Sequence, residues 1–389
     1  MIKPITELTE KHQQMYALLL AKDNPDEFEV VLTATTNQAA SVLSDLTGRE
    51  ANTIYSFLGL KVFDNISKGT TNVTLSKNAE IIYNKVIIID ESSMLNEILF
   101  HYIETRTKNC KVVLVGDWFQ LISVGQRIVT MKQVSDELSC PTVVMNEIMR
   151  NSGIIMETGQ QFRQTVETGI FEPIPMGHKE LYHATGDEFQ ALIDAEYLSD
   201  DYTPKTARIM AYTNQRVLQY SSYVRGVTGS PEELQVGETV ITNKPIIYAG
   251  ARYSTDSEVE ITGVGERYEY EDSGIWGRDT QINERYTSFM PLDNVKARAY
   301  IKYLGVEGRK NRNFAEYFDA KNTWLDLRTA YASTIHKAQG ATCDIVFIDL
   351  PDIGRCYNAN DVARLLYVGI TRAKHRVVLY GKLPDKYGG

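Results

Sequence analysis

The sequence predicts an α/β protein built on parallel sheets, with a smaller all-β part in its second half. Three features carry that prediction. Val86–Ile89 are four consecutive β-branched residues with no polar partner on either face, ending in Asp90 and Glu91. Such a run reads as a strand buried on both sides. Lys111–Val115 repeats the pattern and ends in Gly116, Asp117 and Gln120. Residues 235–305 change character: they alternate, carry many Gly and Tyr, and read as a small antiparallel insertion.

Taken in order, Thr6–Leu20 places Leu8, His12, Met15, Tyr16 and Leu19 at helical spacing, with Thr6 or Thr9 as N-cap, and Asp23-Asn24-Pro25 ends it. Glu29–Ala34 is a strand, followed by Thr35, Thr36 and Asn37 and an amphipathic helix through Leu46. Thr53–Leu60 opens another apolar segment. Val62–Leu75 reads as an exposed hairpin with a polar tip. Beyond the two buried runs, Thr142–Met145 is a short strand leading to Glu147 and Arg150, and Pro173 and Pro175 close a first domain within 150–180. Arg208–Tyr212 opens a second α/β unit with Thr213 and Asn214 at its strand end. That unit resumes with Tyr331–Gly340, strand Ile345–Asp349, helix Asp361–Leu366, Tyr367–Lys374 and strand Arg376–Tyr380.

A chain of 389 residues, 43% hydrophobic and 23% charged, has room for two domains or three. The net charge of −9 argues against an overall basic coat but leaves room for a local basic groove. Cys110, Cys140, Cys343 and Cys356 are far apart, so neither a zinc site nor a disulfide framework is indicated. No signal peptide or membrane-length apolar stretch occurs, and a cytoplasmic protein is expected.

Carboxyl ends of parallel strands form the ligand crevice of open α/β sheets, so Asp90 and Glu91 are placed to hold a cation and orient a water. The strings IIIDESSM, VGDWFQL, NEIMR, YTN with the later VGE, ASTIHKAQG and LLYVGITRAK stand in an order that resembles the motifs of superfamily 1B helicases, the RecD/Dda branch. The last two are the most specific. The resemblance implies two RecA-like lobes with parallel sheets, a pin-like β-hairpin and a small SH3-like accessory domain. The boundaries expected from it are 1–175 for the first lobe with the hairpin at 61–76, 176–234 and 326–389 for the second lobe, and 235–325 for the insertion.

The same resemblance implies an ATP-dependent DNA helicase moving 5′ to 3′ on single-stranded DNA, acting as a monomer at a fork beside a single-strand-binding protein. ATP and Mg²⁺ would be its cofactors. Asp90 would hold Mg²⁺, Glu91 would orient the attacking water, Gln120 would sense the γ-phosphate, and Arg150 and Arg372 would reach the phosphates. Gln13, Gln339 and Gly340 would border the nucleotide. Thr35, Thr36, Asn37, Thr53, Tyr55, Thr213, Asn214, Ser333, Thr334 and His336 would line the DNA path, with Tyr212 beside them and Phe63 as the wedge on the hairpin.

One element of the family's pattern is missing. No Gly-x-x-x-x-Gly-Lys-[Ser/Thr] occurs, the only Gly-Lys pair being Gly381-Lys382, and Ala21–Phe28 is too short for the strand, loop and helix that carry this motif. The alternative reading is therefore an ATPase-deficient, single-stranded-DNA-binding helicase remnant or an incomplete gene product. Loss of that element also predicts an uncovered flank on the first sheet.

Overall fold

The computed structural model describes residues 29–65, 70–121, 143–144, 148, 150–248, 251–253, 255 and 257–389. The N-terminal helix expected over Thr6–Leu20, and Gln13 within it, lie outside the described residues. The described residues up to 184 together with 338–389 form one compact unit, and 185–337 form a second.

The first unit opens with β1 (Glu29–Ala34), α1 (Asn37–Thr47), β2 (Ala51–Thr53), the short α2 (Ile54–Phe57), and the hairpin β3 (Leu60–Asn65) and β4 (Thr70–Leu75). Next come β5 (Ile82–Tyr83), β6 (Lys85–Asp90), α3 (Glu97–Arg106), β7 (Thr107–Lys108) and β8 (Lys111–Leu114). A parallel sheet of order β2-β1-β6-β8 results, with Ala34 opposite Asp90 and Ile89 opposite Leu114. Val86–Ile89 are at most 5% exposed. Their side chains alternate between two faces: Ile87 and Ile89 pack with Ile54, Leu58, Leu95, Leu99 and Ile103, while Ile88 packs with Leu32 and Leu43.

The second run differs from its expectation as a buried strand. Lys111 is exposed and Val112 is 39% exposed. Among the described strands β8 pairs with β6 alone. Val143 and Val144 are exposed and belong to no strand, which corrects the short strand expected over Thr142–Met145 at those two positions. The hairpin forms with Leu60 opposite Leu75 and Phe63 opposite Asn72. Helix α4 (Gly153–Thr168) and strand β9 (Leu181–Ala184) follow.

The second unit contains α5 (Gly186–Tyr197), β10 (Ala207–Ala211), α6 (Asn214–Val227), β11 (Thr239–Thr242), β12 (Ile246–Tyr248) and β13 (Ala251–Tyr253). It continues through β14 (Glu258–Glu269), β15 (Trp276–Ile282), β16 (Tyr286–Pro291), α7 (Asn294–Asn311), α8 (Ala315–Thr323), β17 (Leu327–Thr329) and β18 (Ala332–Thr334). An antiparallel sheet of order β16-β15-β14-β11-β17 encloses Val240, Val259, Ile261, Ile282 and Tyr286. This sheet takes in Leu327–Thr329, beyond the limit of 325 expected for the insertion, and residues 294–323 are largely helical. β10 and β18 pair in parallel.

The chain then returns to the first unit with β19 (Cys343–Asp349), α9 (Leu350–Ile353), α10 (Ala359–Thr371) and β20 (Ala373–Tyr380), where β19, β20 and β9 pair in parallel. Helix α10 is longer than Asp361–Leu366 because Tyr367–Thr371 continue its apolar face with Val368 and Ile370 buried. Gly159 of α4 lets α10 approach: a Cβ there would stand 2.9 Å from Thr371 Cγ2. The compact unit thus crosses the limits drawn at 175 and 326, because α10 and β20 pack with elements that precede residue 185.

Candidate active site and nucleic-acid contacts

The site begins where β6 ends. Asp90 Oδ1 accepts the backbone N–H of Glu91 at 2.9 Å, and the Thr35 N–H donates to the Asp90 carbonyl at 3.1 Å. Glu91 adopts φ 51°, a left-handed conformation uncommon outside glycine, which turns the chain out of the strand into the 3₁₀ turn Ser92–Met94. Ser92 donates to the Val115 carbonyl through both its backbone N–H (2.9 Å) and its Oγ (2.8 Å). Gly116 is required beside it, since a Cβ would stand 3.0 Å from Ser92 N and Oγ.

The loop after β8 is organised by Asp117, whose Oδ1 accepts the Phe119 N–H at 3.0 Å. Gln120 Nε2 lies 3.5 Å from Asp117 Oδ2. Helix α10 fastens this loop: the Tyr367 hydroxyl donates to Asp117 Oδ2 at 2.6 Å, and Arg364 Nη1 donates to the carbonyls of Trp118 (2.5 Å) and Gln120 (2.7 Å). Arg163 of α4 covers the Phe119 ring at 4.4 Å.

Arg372, just past α10, is 2% exposed and donates to the carbonyls of Val368 (3.3 Å) and Ala341 (3.4 Å). Burial, with Arg150 alongside, pulls its pKa down to about 10, against the pull of Glu91, Tyr367 and Asp117. Arg150 keeps part of its side chain open to solvent and donates to the Thr371 carbonyl at 3.3 Å. Gln339 Nε2 lies 3.4 Å from Glu91 Oε2, and Gly340 turns the chain with φ 85°. Burial raises the Glu91 carboxyl above its usual range; Asp90 and Asp117 add to this, while Arg372 and Gln339 oppose it.

Asp90, Glu91, Gln120, Arg150, Gln339, Gly340 and Arg372 therefore stand in one unit. The amide oxygens of Gln120 and Gln339 are buried without a hydrogen-bond partner, so each can accept from an O–H group brought into the site. A positioned carboxylate, two such acceptors and two guanidinium groups suit an in-line attack by water on a phosphoryl group. Among the described residues no cluster of three or more His, Cys, Asp or Glu could hold a metal by itself. A Mg²⁺ ion held by Asp90 would take the rest of its shell from water and phosphate oxygens. Sequence reasoning left Asp117 without a role and missed Arg364 and Tyr367. Their signal is the spacing 364, 367 and 371, which puts three polar residues on one face of an otherwise apolar helix.

Several residues expected on the DNA path serve as helix caps. Thr36 Oγ1 accepts the Ala39 N–H (3.1 Å), Thr53 Oγ1 that of Ser56 (3.1 Å), and Thr213 Oγ1 that of Arg216 (3.2 Å). Thr35 is 8% exposed and donates to the Glu91 carbonyl at 2.9 Å, which ties it to the acids. Asn37 and Asn214, the first residues of α1 and α6, are exposed. Tyr55 is half-buried, its hydroxyl beside Asn96 and its pKa raised by burial. Phe63 lies in β3.

Ser333 and Thr334 are 1% and 7% exposed, so their hydroxyls face inward. Thr334 Oγ1 lies 3.4 Å from the Lys337 N–H. The His336 ring lies 6.2 Å from that of Tyr212. No described helix is long and apolar enough to cross a membrane.

Comparison with known proteins gives a consistent set. Residues 2–126 match the AAA domain and residues 329–380 the UvrD-like helicase C-terminal domain. Over 393 residues the chain is 25% identical to the ATP-dependent DNA helicase dda of Enterobacteria phage T4, covering 90% of this chain and 87% of that one. The structure of Pif1 helicase from Candida albicans shares the fold, with a TM-score of 0.50 at 14% identity and coverage of 98% of this chain and 91% of that one. Pif1 helicase from Bacteroides, solved in complex with ADP-AlF3 and ssDNA, gives a TM-score of 0.48 at 14% identity, covering 98% of this chain and 94% of that one.

Proposed function

We propose that the chain is a superfamily 1B helicase related to Dda, and that it acts on DNA as a single-strand-binding member of that family whose ATP turnover is crippled. The observation that carries this reading is a mismatch within one site. Glu91, Gln339, Arg150, Arg372 and the loop bearing Gln120 converge where hydrolysis would take place. Yet the sequence has no Gly-x-x-x-x-Gly-Lys-[Ser/Thr] to cradle the phosphates.

Charge-assisted hydrogen bonds contribute about 1.5–3 kcal/mol each. Loss of several phosphate contacts at once weakens nucleotide binding by orders of magnitude, at tenfold for roughly every 1.4 kcal/mol. Asp90 would share Mg²⁺ with the nucleotide's phosphates, Glu91 and Gln120 would orient water, and the arginines would face the γ-phosphate. In the first unit the exposed Asn37, the N-terminus that Thr36 caps and Tyr55 would meet a strand; in the second, taken by itself, the exposed Asn214, the N-terminus that Thr213 caps and the Tyr212–His336 pair would do so. Such groups read backbone and ring faces and carry little sequence preference. The setting is a fork with single-stranded DNA and its binding protein, in the cytoplasm, with the chain working as a monomer.

The test is ATP hydrolysis with and without oligothymidylate, alongside strand affinity across a salt series. Affinity is expected to fall steeply with salt, because phosphate binding releases counterions, while hydrolysis stays unresponsive to DNA. DNA-stimulated hydrolysis that Glu91→Gln abolishes would favour the second reading, an ATP-driven 5′-to-3′ helicase, which the convergence of Glu91, Gln339 and Arg372 itself supports. Salt-independent affinity would remove the DNA-binding reading.

A further inference from the structure

Helix α7 and the turn after it are charged against the trend of the chain. Residues 294–313 hold Lys296, Arg298, Lys302, Arg309, Lys310 and Arg312 against the single carboxylate of Glu307, in a protein whose net charge is −9. Some of these cations are paired: Arg298 with Asp326 at 3.0 Å, Lys310 with Glu307 at 2.6 Å, and Lys296 at 4.0 Å from Asp293. Lys302, Arg309 and Arg312 are exposed and have no carboxylate partner among the described residues.

An aromatic stack reaches the surface on the same helix. Trp324, 2% exposed, lies under Tyr300 with the rings 10° from parallel and 6.1 Å between centroids. Tyr300 in turn stacks with Tyr303 at 6.1 Å and 28°. Tyr303 ends the series and is 55% exposed. Helical geometry sets Lys302 in line with Arg309 and Tyr303 in line with Lys310, and Val306, 43% exposed, lies between the two rows. Cations in the last turn complement the helix dipole, which accounts for Arg309 and Lys310 but for neither Lys302 nor an exposed ring beside it.

A ring supported from below, open above and flanked by cations is the arrangement that takes an unpaired base and its phosphates. We propose that this face of α7 is a second binding site for single-stranded nucleic acid, with a base stacked on Tyr303 and phosphates on Lys302 and Arg309. The site rests on the same DNA-binding reading and is independent of the ATP cleft. Its ligand is a polyanion with exposed bases.

Fluorescence anisotropy of labelled oligothymidylate, across a salt series, tests this with the full chain. Tyr303→Ala is expected to weaken binding by about tenfold, with Tyr303→Phe restoring it, since stacking needs the ring and not the hydroxyl. The pair Lys302→Gln and Arg309→Gln is expected to lower the salt slope by about 1.4, at roughly 0.7 per phosphate on a single strand. All three side-chain positions are on the surface, and an unchanged unfolding midpoint verifies that the variants fold.

Wild-type binding that neither the Tyr303 nor the cation variants alter would overturn the proposal while leaving the DNA-binding reading intact. Absence of any salt-dependent binding by the wild type would overturn both. Displacement of the oligonucleotide by polyglutamate at equal charge concentration would show that charge alone is read, and would also overturn it.

Discussion

The hydroxyl of Tyr367 lies 2.6 Å from Asp117 Oδ2, and this contact joins helix α10 to the loop that bears Gln120. Three further bonds run between the same two elements or beside them: Arg364 to the carbonyls of Trp118 and Gln120, and Gln339 to Glu91. The acids and the segment carrying Arg372 are thus already fastened together by the protein's own groups. Gln120 is held in place without help from a bound phosphate.

Tyr367→Phe removes a hydrogen bond to a charged group that is partly shielded from water, and is expected to lower stability by about 1.5–3 kcal/mol. The pH dependence has a definite sign. Burial and Asp117 push the Tyr367 hydroxyl well above its ordinary value of 10.0. The unfolded chain therefore loses this proton first as pH rises, and the stabilisation present below pH 10 declines above it. Urea denaturation of wild type and Tyr367→Phe at pH 8 and at pH 10.5 measures both effects; a gap that does not narrow at the higher pH contradicts the assignment.

Gly116→Ala forces a methyl group to within 3.0 Å of the Ser92 backbone nitrogen and 3.1 Å of that of Ser93. Backbone at the strand end has little freedom to retreat, so a loss of about 1–3 kcal/mol is expected from overpacking. A denaturation midpoint equal to wild type would mean that the turn after Glu91 yields more easily than its hydrogen bonds to Val115 imply.

The Val86–Ile89 strand and the pair of acids at its end were legible because burial on both faces imposes an unbroken apolar run. The exposure of Lys111 and Val112 in β8 was not: Lys111–Val115 is also a mostly apolar run, and a local pattern does not encode how its residues are covered in the fold. The hydroxyls of Thr36, Thr53 and Thr213 matched a DNA-contact pattern, yet each closes a helix N-terminus, because strand-end threonines meet both demands with one geometry. Arg364 and Tyr367 escaped notice because their partners are some 250 positions away in the chain, and only tertiary packing reveals that pairing.

Thr213 separates capping from binding. Thr213→Ala is expected to cost about 1 kcal/mol through the lost cap on α6, and Thr213→Ser to recover most of it, since serine caps equally well. Where strand affinity falls in the alanine variant and returns in the serine variant, the hydroxyl or the helix end it orders is used for DNA. Full affinity in both variants would take Thr213 off the strand's path.

Glu91 gives the sharpest electrostatic prediction. Its carboxyl lies above the ordinary value of 4.5, chiefly through desolvation and then through Asp90 and Asp117, with Arg372 and Gln339 opposing. The folded protein therefore holds this proton to higher pH than the unfolded chain does. As pH rises from about 4.5 through the folded-state value, the unfolded chain gains the advantage of an ionised, solvated carboxylate, and stability falls. A glutamine at this position keeps the contact with Gln339 and carries no charge. Glu91→Gln is accordingly expected to unfold at higher denaturant concentration than wild type at pH 7, with the two curves converging below about pH 4, while any DNA-stimulated hydrolysis disappears. Equal stability at pH 7 would show that Arg372 neutralises Glu91 fully, and would shift the source of its raised pKa away from burial.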